Sequence, residues 1–364
     1  MKMKSLLIIL SVCYFIFSCR SSDEGMEVVN PEKSLNLSDL NLGISFVPLD
    51  FGILGGIGEV TKFYFIDELL FVLDSEFTKG IHVFDLNGNL IRSIQSIEKL
   101  TIWDFIVDES NRELVLFTLG NKFERFTLDG NFIKSWKSEM PISKMMKLED
   151  DKLFCDTGME SNARDKIFNL VILDPSNFKI KDFLLPLDEE PILAQDRVKN
   201  YALINNSDFL FIPPFDSKIY RVEKEGSIEP FLYFDFIDKL MSIQEFNRFL
   251  GDLPGDVTTG IDGLVYSNDK LFFHYHSNGV PNFRFFDLKS QNLYQLEAPN
   301  DFPSLFFQFF LMGYVLEKND GLYAVIDLDH FRPFLDQSTV EIPDDLRKML
   351  ESGILFSLVK ITVG

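Results

Sequence analysis

The sequence predicts an all-β chain folded as a six-bladed β-propeller of four-stranded blades, with an N-terminal strand closing the last blade and two short inserted helices. Three observations carry this reading. The stretch Val83-Phe84-Asp85-Leu86-Asn87-Gly88-Asn89-Leu90-Ile91 places Asn-Gly between two apolar runs, the pattern of a tight β-hairpin. The pattern returns 42 residues later, from Phe84 to Phe126, with Asp129-Gly130 in the turn. Weaker echoes follow around Asp174, Glu223 and Asp287. A hairpin repeat of roughly 40–50 residues is the sequence mark of a propeller.

The elements follow in order. Residues 63–66 and 69–73 flank Asp67-Glu68, a two-residue turn, and 81–84 with 90–94 complete blade one. Blade two takes 103–107, 113–117, 123–127 and 132–136. Blade three takes 143–148, 152–156, 167–173 and 178–185. Blade four takes 201–204, 208–212, 218–222 and 228–234. Ser242 and Glu245 then form a capping box, Ile243, Phe246, Phe249 and Leu250 share a face, and Gly251 ends a short helix. Blade five takes 263–267, 271–276, 283–287 and 293–296. Blade six is expected to begin near 306–314 and continue at 322–327, with the nearly continuous apolar run of 305–312 read as core strand. A second helix begins at Pro343, with Asp344 and Asp345 at its positive end. The last strand is 354–363. This leaves blade six one strand short, and the unpaired stretch 42–49 is expected to complete it and cover an edge.

Of 364 residues, 46% are hydrophobic, so the chain can bury a sizeable core. Phe is abundant, at 39, and suits strands and packing between sheets. The formal net charge is −21, a surface that repels phosphate backbones and speaks against nucleic acid as a partner.

Residues 1–18 read as a signal peptide: Lys2 and Lys4, then a 12-residue apolar stretch from Leu6 to Phe17, too short to span a bilayer. Ile16-Phe17-Ser18-Cys19 resembles a bacterial lipobox, which makes the Cys19 thiol the expected lipid attachment point. Such an anchor would hold the protein to a membrane without a spanning helix. Cys13 leaves with the signal, so Cys155 alone remains and no internal disulfide is possible. Residues 19–33 read as a flexible tether, and 34–364 as the propeller domain. The acidic pair Asp23-Glu24 after Cys19 resembles a cell-surface export signal of Bacteroidetes-type lipoproteins.

The lipobox, the Phe46-Val47-Pro48-Leu49 opening strand, the Val83 to Ile91 repeat and the closing Leu358-Val359-Lys360-Ile361 strand together resemble the six-bladed β-propeller lipoproteins of Bacteroidetes, which are similar to NHL-repeat proteins. The resemblance covers most of 42–363. It implies an outer-membrane, envelope location, periplasmic or surface-exposed, and a binding role. Members often carry a Gly-x-Gly-Pro-x-Glu-Tyr segment after the first hairpin; here that place holds Gln95 to Leu100. The resemblance supplies no catalytic residue.

Residue chemistry adds little. The glycine-rich stretch 52–58 lacks the Lys-Ser/Thr ending of a phosphate loop, no Cys/His group has zinc spacing, and there is no Gly-x-Ser-x-Gly elbow. His274 and His276 alternate on one strand face and could share a ligand or metal, though packing between blades or facing solvent is the simpler reading. Trp103 beside Asp104 opens the innermost strand of blade two near the expected channel mouth, a pairing that suits sugar or peptide recognition. The sequence thus expects a non-catalytic envelope lipoprotein that binds an envelope protein or glycan, without a cofactor. The alternative is a propeller hydrolase or lyase working through channel-mouth carboxylates, with a metal at His274 or His276.

Overall fold

The computed structural model describes residues 26–28, 33–52, 58, 60–149, 151–158, 162–163, 166–187, 199–204, 208–234, 240–249, 257–258, 260–277, 280–297, 301–318, 321–329, 331–332 and 341–363. The signal peptide, Cys19, most of the tether and the centre of the glycine-rich stretch lie outside them.

The described residues form six sheets of four or five strands. Blade one is Val60–Ile66, Leu69–Asp74, Gly80–Asp85 and Leu90–Gln95. Blade two is Ile102–Asp108, Glu113–Thr118, Lys122–Thr127 and Phe132–Lys137. Blade three is Lys144–Glu149, Lys152–Asp156, Lys166–Leu173 and Ile180–Leu187, with Asn162–Ala163 added. Blade four is Tyr201–Leu203, Phe209–Phe211, Lys218–Val222 and Ile228–Phe234. Blade five is Ile261–Ser267, Lys270–Ser277, Val280–Asp287 and Asn292–Glu297. Blade six is Leu316–Lys318, Gly321–Asp327, Phe356–Val363 and Leu42–Pro48.

Core packing makes these sheets a ring. Six apolar clusters lie between consecutive blades. One joins Phe71 and Val83 of blade one to Phe105 and Leu116 of blade two. Another joins Phe356 and Leu358 of blade six to Phe63 and Phe84 of blade one. Every sheet is therefore apolar on both faces, which a two-sheet sandwich would not require. Each fully buried Phe contributes about 1.5–3 kcal/mol of transfer free energy, so the Phe-rich strands stabilise the inter-blade seams.

The closing strand is where the sequence placed it. Leu42–Pro48 pairs antiparallel with Phe356–Val363, from Leu42 against Val363 to Pro48 against Ser357. Two further strands use the N-terminal chain. Lys33–Asn36 adds in parallel to Asn292–Glu297. Met26–Val28, within the stretch read as a tether, adds in parallel to Ile228–Phe234.

The organising hairpin turns differently from the expected two-residue Asn-Gly form. Gly88 N donates to Asp85 O and Asp85 N to Asn89 O, so Leu86 and Asn87 form the turn and Gly88, at φ 84, takes the left-handed bulge position. The hairpins at Gly130 and Gly226 repeat this wiring, with φ 88 and 95. At Gly88 the choice is enforced twice. A Cβ there would stand 1.9 Å from Pro48 O, and Asp50 N donates to Gly88 O at 2.9 Å. The signature hairpin is thus the surface against which the closing strand exits.

The helices inserted among the described residues include α1 (Ile243–Phe249), α2 (Phe302–Met312) and α3 (Asp344–Glu351). The capping box holds at α1, with Ser242 Oγ accepting from Glu245 N and Glu245 Oε2 from Ser242 N at 2.9 Å. Helix α2 corrects the expected core strand at the start of blade six. Asp301 caps it, accepting from Ser304 N at 2.9 Å, and a proline occupies its first turn. A run apolar on all sides carries no period, so burial between blades five and six fits helix or strand equally. Phe302, Phe306, Phe307, Phe310 and Leu311 bury there, and the innermost strand of blade six shortens to Leu316–Lys318.

Candidate functional site

The first strand of each blade lines the propeller axis. Those of blades one, two, three and five each carry a bulge, between Val60 and Lys62, Ile102 and Asp104, Met145 and Lys147, and Asp262 and Val265. Bulges break strict alternation and re-aim side chains. In blade two the extra residue is Trp103. It is 52% exposed, while Asp104 beside it is buried.

At the ends where these strands finish, the axis opens into a cavity of about 1000 Å³. Four tyrosines line it, Tyr64, Tyr201, Tyr266 and Tyr314, together with Ile106, Met146, Leu203 and Leu316. Lys62 and Lys199 also line it, and both are buried.

The two lysines differ in their partners. Lys62 Nζ bridges both carboxylate oxygens of Asp104, at 3.0 and 3.1 Å, and donates to Met145 O at 2.6 Å. Asp104 also accepts from Met145 N and Phe105 N. Its charge is fully matched, and blades one, two and three meet on it. Lys199 Nζ donates to Val315 O and lies 5.7 Å and 5.3 Å from the ring centres of Tyr201 and Tyr314. Burial pushes its ammonium down to about 7, against the pull of Glu317 and with a small push from Lys62. The Tyr201 and Tyr314 hydroxyls meet at 3.3 Å, and burial raises both.

The carboxylates around the mouth are mostly engaged. Glu109 accepts from Tyr64 Oη at 2.8 Å; burial first, and this bond second, raise that phenol. Asp108 holds Asn111 and, at 3.4 Å, Arg125, which also bonds Glu113 at 2.5 Å and Pro175 O at 2.6 Å. Asp151 pairs with Lys181 at 3.2 Å, and Asp174 caps its own turn through Ser176 and Asn177. Burial raises Glu317, which is bound to Ser267 and Asn268.

The four residues singled out in the sequence are not brought together. Asp104 sits in the ion pair below the cavity. Trp103 belongs to the opposite end of its strand and is not part of the lining. His274 and His276 end the second strand of blade five, on the side where the inner strands begin; their rings are 5.5 Å apart. His274 is buried against Gly263, where a Cβ would stand 2.4 Å from its Cε1, and its Nδ1 has no partner among the described residues. Burial pushes this imidazole down to about 4, with Asp262 opposing and His276 reinforcing the shift. Among the described residues no group of three or more His, Cys, Asp or Glu could hold a metal ion, and no helix is long and apolar enough to cross a membrane. Lys62, Lys199 and the tyrosines were missed. No common position in the hairpin repeat marks them: Tyr64 and Tyr266 lie late in their strands and Lys199 lies before its strand begins.

The model of a family described as Domain of unknown function (DUF4934) matches residues 24–353. The chain belongs to the DUF4934 family. No curated protein matches its sequence. This DUF4934 chain is similar to a Bacteroides fragilis protein described as exported, at 18% identity and TM-score 0.72, covering 93% of this chain and 99% of that one. It is also similar to a member of the DUF4221 family from Bacteroides vulgatus, at 10% identity and TM-score 0.56, covering 88% and 97%. At these identities the likeness is one of fold, and the DUF4934 ring shares its architecture with both.

Proposed function

We propose that this protein is an envelope lipoprotein, anchored to the outer membrane through Cys19, whose propeller binds a glycan or partner protein in the axial cavity. The cavity is the observation that carries the reading. It is of ligand size, rigidly walled by strands, and lined by tyrosine faces and hydroxyls that suit a ring-bearing polar ligand. Partners already hold Asp108, Glu109, Asp151 and Asp174, which favours binding over the acid–base chemistry of a hydrolase or lyase. Trp103, on the opposite end, is a second surface for a protein partner, and His274 and His276 remain residues whose replacement by Ala tests any ligand role there.

The test is recovery of bound material from cross-linked envelopes with the full chain and with Tyr201→Ala. The reading expects a glycan or envelope protein with the native chain and its loss with the variant. Equal recovery from both would move the binding surface away from the cavity, and repeated recovery of nothing would overturn the reading.

A further inference from the structure

Two buried lysines stand at one cavity, and among the described residues only one has a counter-ion. Lys62 is neutralised by Asp104 at 3.0 Å. Lys199 has an ammonium with three donors, and among the described residues it satisfies one, on Val315 O. Around it stand two aromatic rings, from Tyr201, which opens the strand just after it, and Tyr314, just ahead of the first strand of blade six. Glu317 of blade six acts on it through space but makes no ion pair with it, and Lys62 of blade one repels it. A buried cation without a counter-ion is unfavourable unless something supplies one. Lys199 lines the cavity, so a ligand there can supply one.

We propose that Lys199 is the anion anchor of the axial cavity, and that the ligand is an acidic saccharide whose carboxylate meets Lys199 while its ring lies against the tyrosines. This rests on the cavity being the binding site. A carboxylate accepting from Lys199 makes a charge-assisted hydrogen bond in a desolvated setting, the strong kind. Neutral sugars leave the ammonium unmatched and are discriminated against. The depressed proton affinity of Lys199 follows from the same geometry, and an incoming carboxylate reverses it, so binding takes up a proton near neutral pH.

The probe is a pool of uronate-containing oligosaccharides and the same pool after carboxyl reduction, which removes charge and keeps the rings. Each is incubated with the full processed chain at pH 6 and pH 9, and retained species are read by mass spectrometry. Members of the acidic pool are expected to be retained at pH 6 and to bind at least about tenfold more weakly at pH 9. Lys199→Met should weaken retention by a similar factor and remove the pH dependence. Lys199→Arg should keep retention at both pH values, because a guanidinium does not titrate there; it also controls for a folding defect in the methionine variant. Equal retention of the reduced pool, or of the acidic pool by Lys199→Met, would overturn the inference and leave the cavity as a binding site. Retention of neither pool would overturn the acidic-saccharide assignment, and the envelope capture described above then decides separately whether the cavity binds.

Discussion

Replacing Asp104 by Ala separates the two roles this residue could have. In the structure Asp104 holds Lys62 through both oxygens and also caps Met145 N and Phe105 N, all out of water. Removing it strands a buried ammonium between blades one, two and three. Breaking a buried ion pair by deleting one partner costs about 3–5 kcal/mol. Unfolding entropy of about 2.1 cal/mol/K per residue, over roughly 330 residues, gives ~0.7 kcal/mol/K, so the melting temperature should fall by about 4–7 °C. Calorimetry or near-UV circular dichroism reads this. Replacing the pair together, as Lys62→Met with Asp104→Leu, should recover most of the loss, because a matched apolar pair leaves no stranded charge. An unchanged melting temperature for Asp104→Ala, with cavity binding lost, would refute this reasoning and return Asp104 to the ligand-facing role its sequence context suggested.

Four shorter predictions accompany it. Gly88→Ala should destabilise by more than the ~1–2 kcal/mol that an L-residue costs in the left-handed region, because its Cβ meets Pro48 O; thermal melting beside Gly120→Ala, whose Cβ has open space, isolates the excess. Cys155 is buried, and burial raises its thiol, so a chain beginning after Cys19 should leave a disulfide reagent unreacted at pH 8 until denaturant is added. Burial lowers both His274 and His82, so below about pH 6.5 the unfolded chain binds protons the folded one refuses; stability should hold above that pH and fall as pH drops toward about 4, and His274→Gln should flatten this limb in urea titrations. Cys19→Ala should move the protein from the membrane fraction to the soluble fraction and abolish labelling by a palmitate analogue; persistence of both would remove the anchor from the account.

Much of the ring was legible because its signals are local. Hairpins at Gly88, Gly130 and Gly226 mark the repeat, and an unpaired 42–48 matched a blade lacking one strand. The turn chemistry was half legible: Asn87-Gly88 announces a hairpin, but whether Gly fills the turn or the bulge after it depends on strand twist. Helix α2 was misread because an apolar run buried on all sides carries no period, and the Asp301 cap was the available clue. The site was largely hidden. Bulges at Trp103 and Gly263 cannot be seen in alternation, and they decide which side chain reaches the axis. Lys62 and Lys199 are 137 positions apart in sequence, and only closure of the ring places them at one cavity. What distinguishes them, among the described residues a counter-ion for Lys62 and none for Lys199, is a property of neighbouring blades.

The most direct test is the titration of Lys199 itself, followed through its ε-carbon by NMR and assigned with Lys199→Arg. The midpoint should lie at about 7 in the free protein and move upward when the retained acidic saccharide saturates the cavity. An ordinary lysine midpoint near 10.4 in the free protein, unmoved by saccharide, would contradict it.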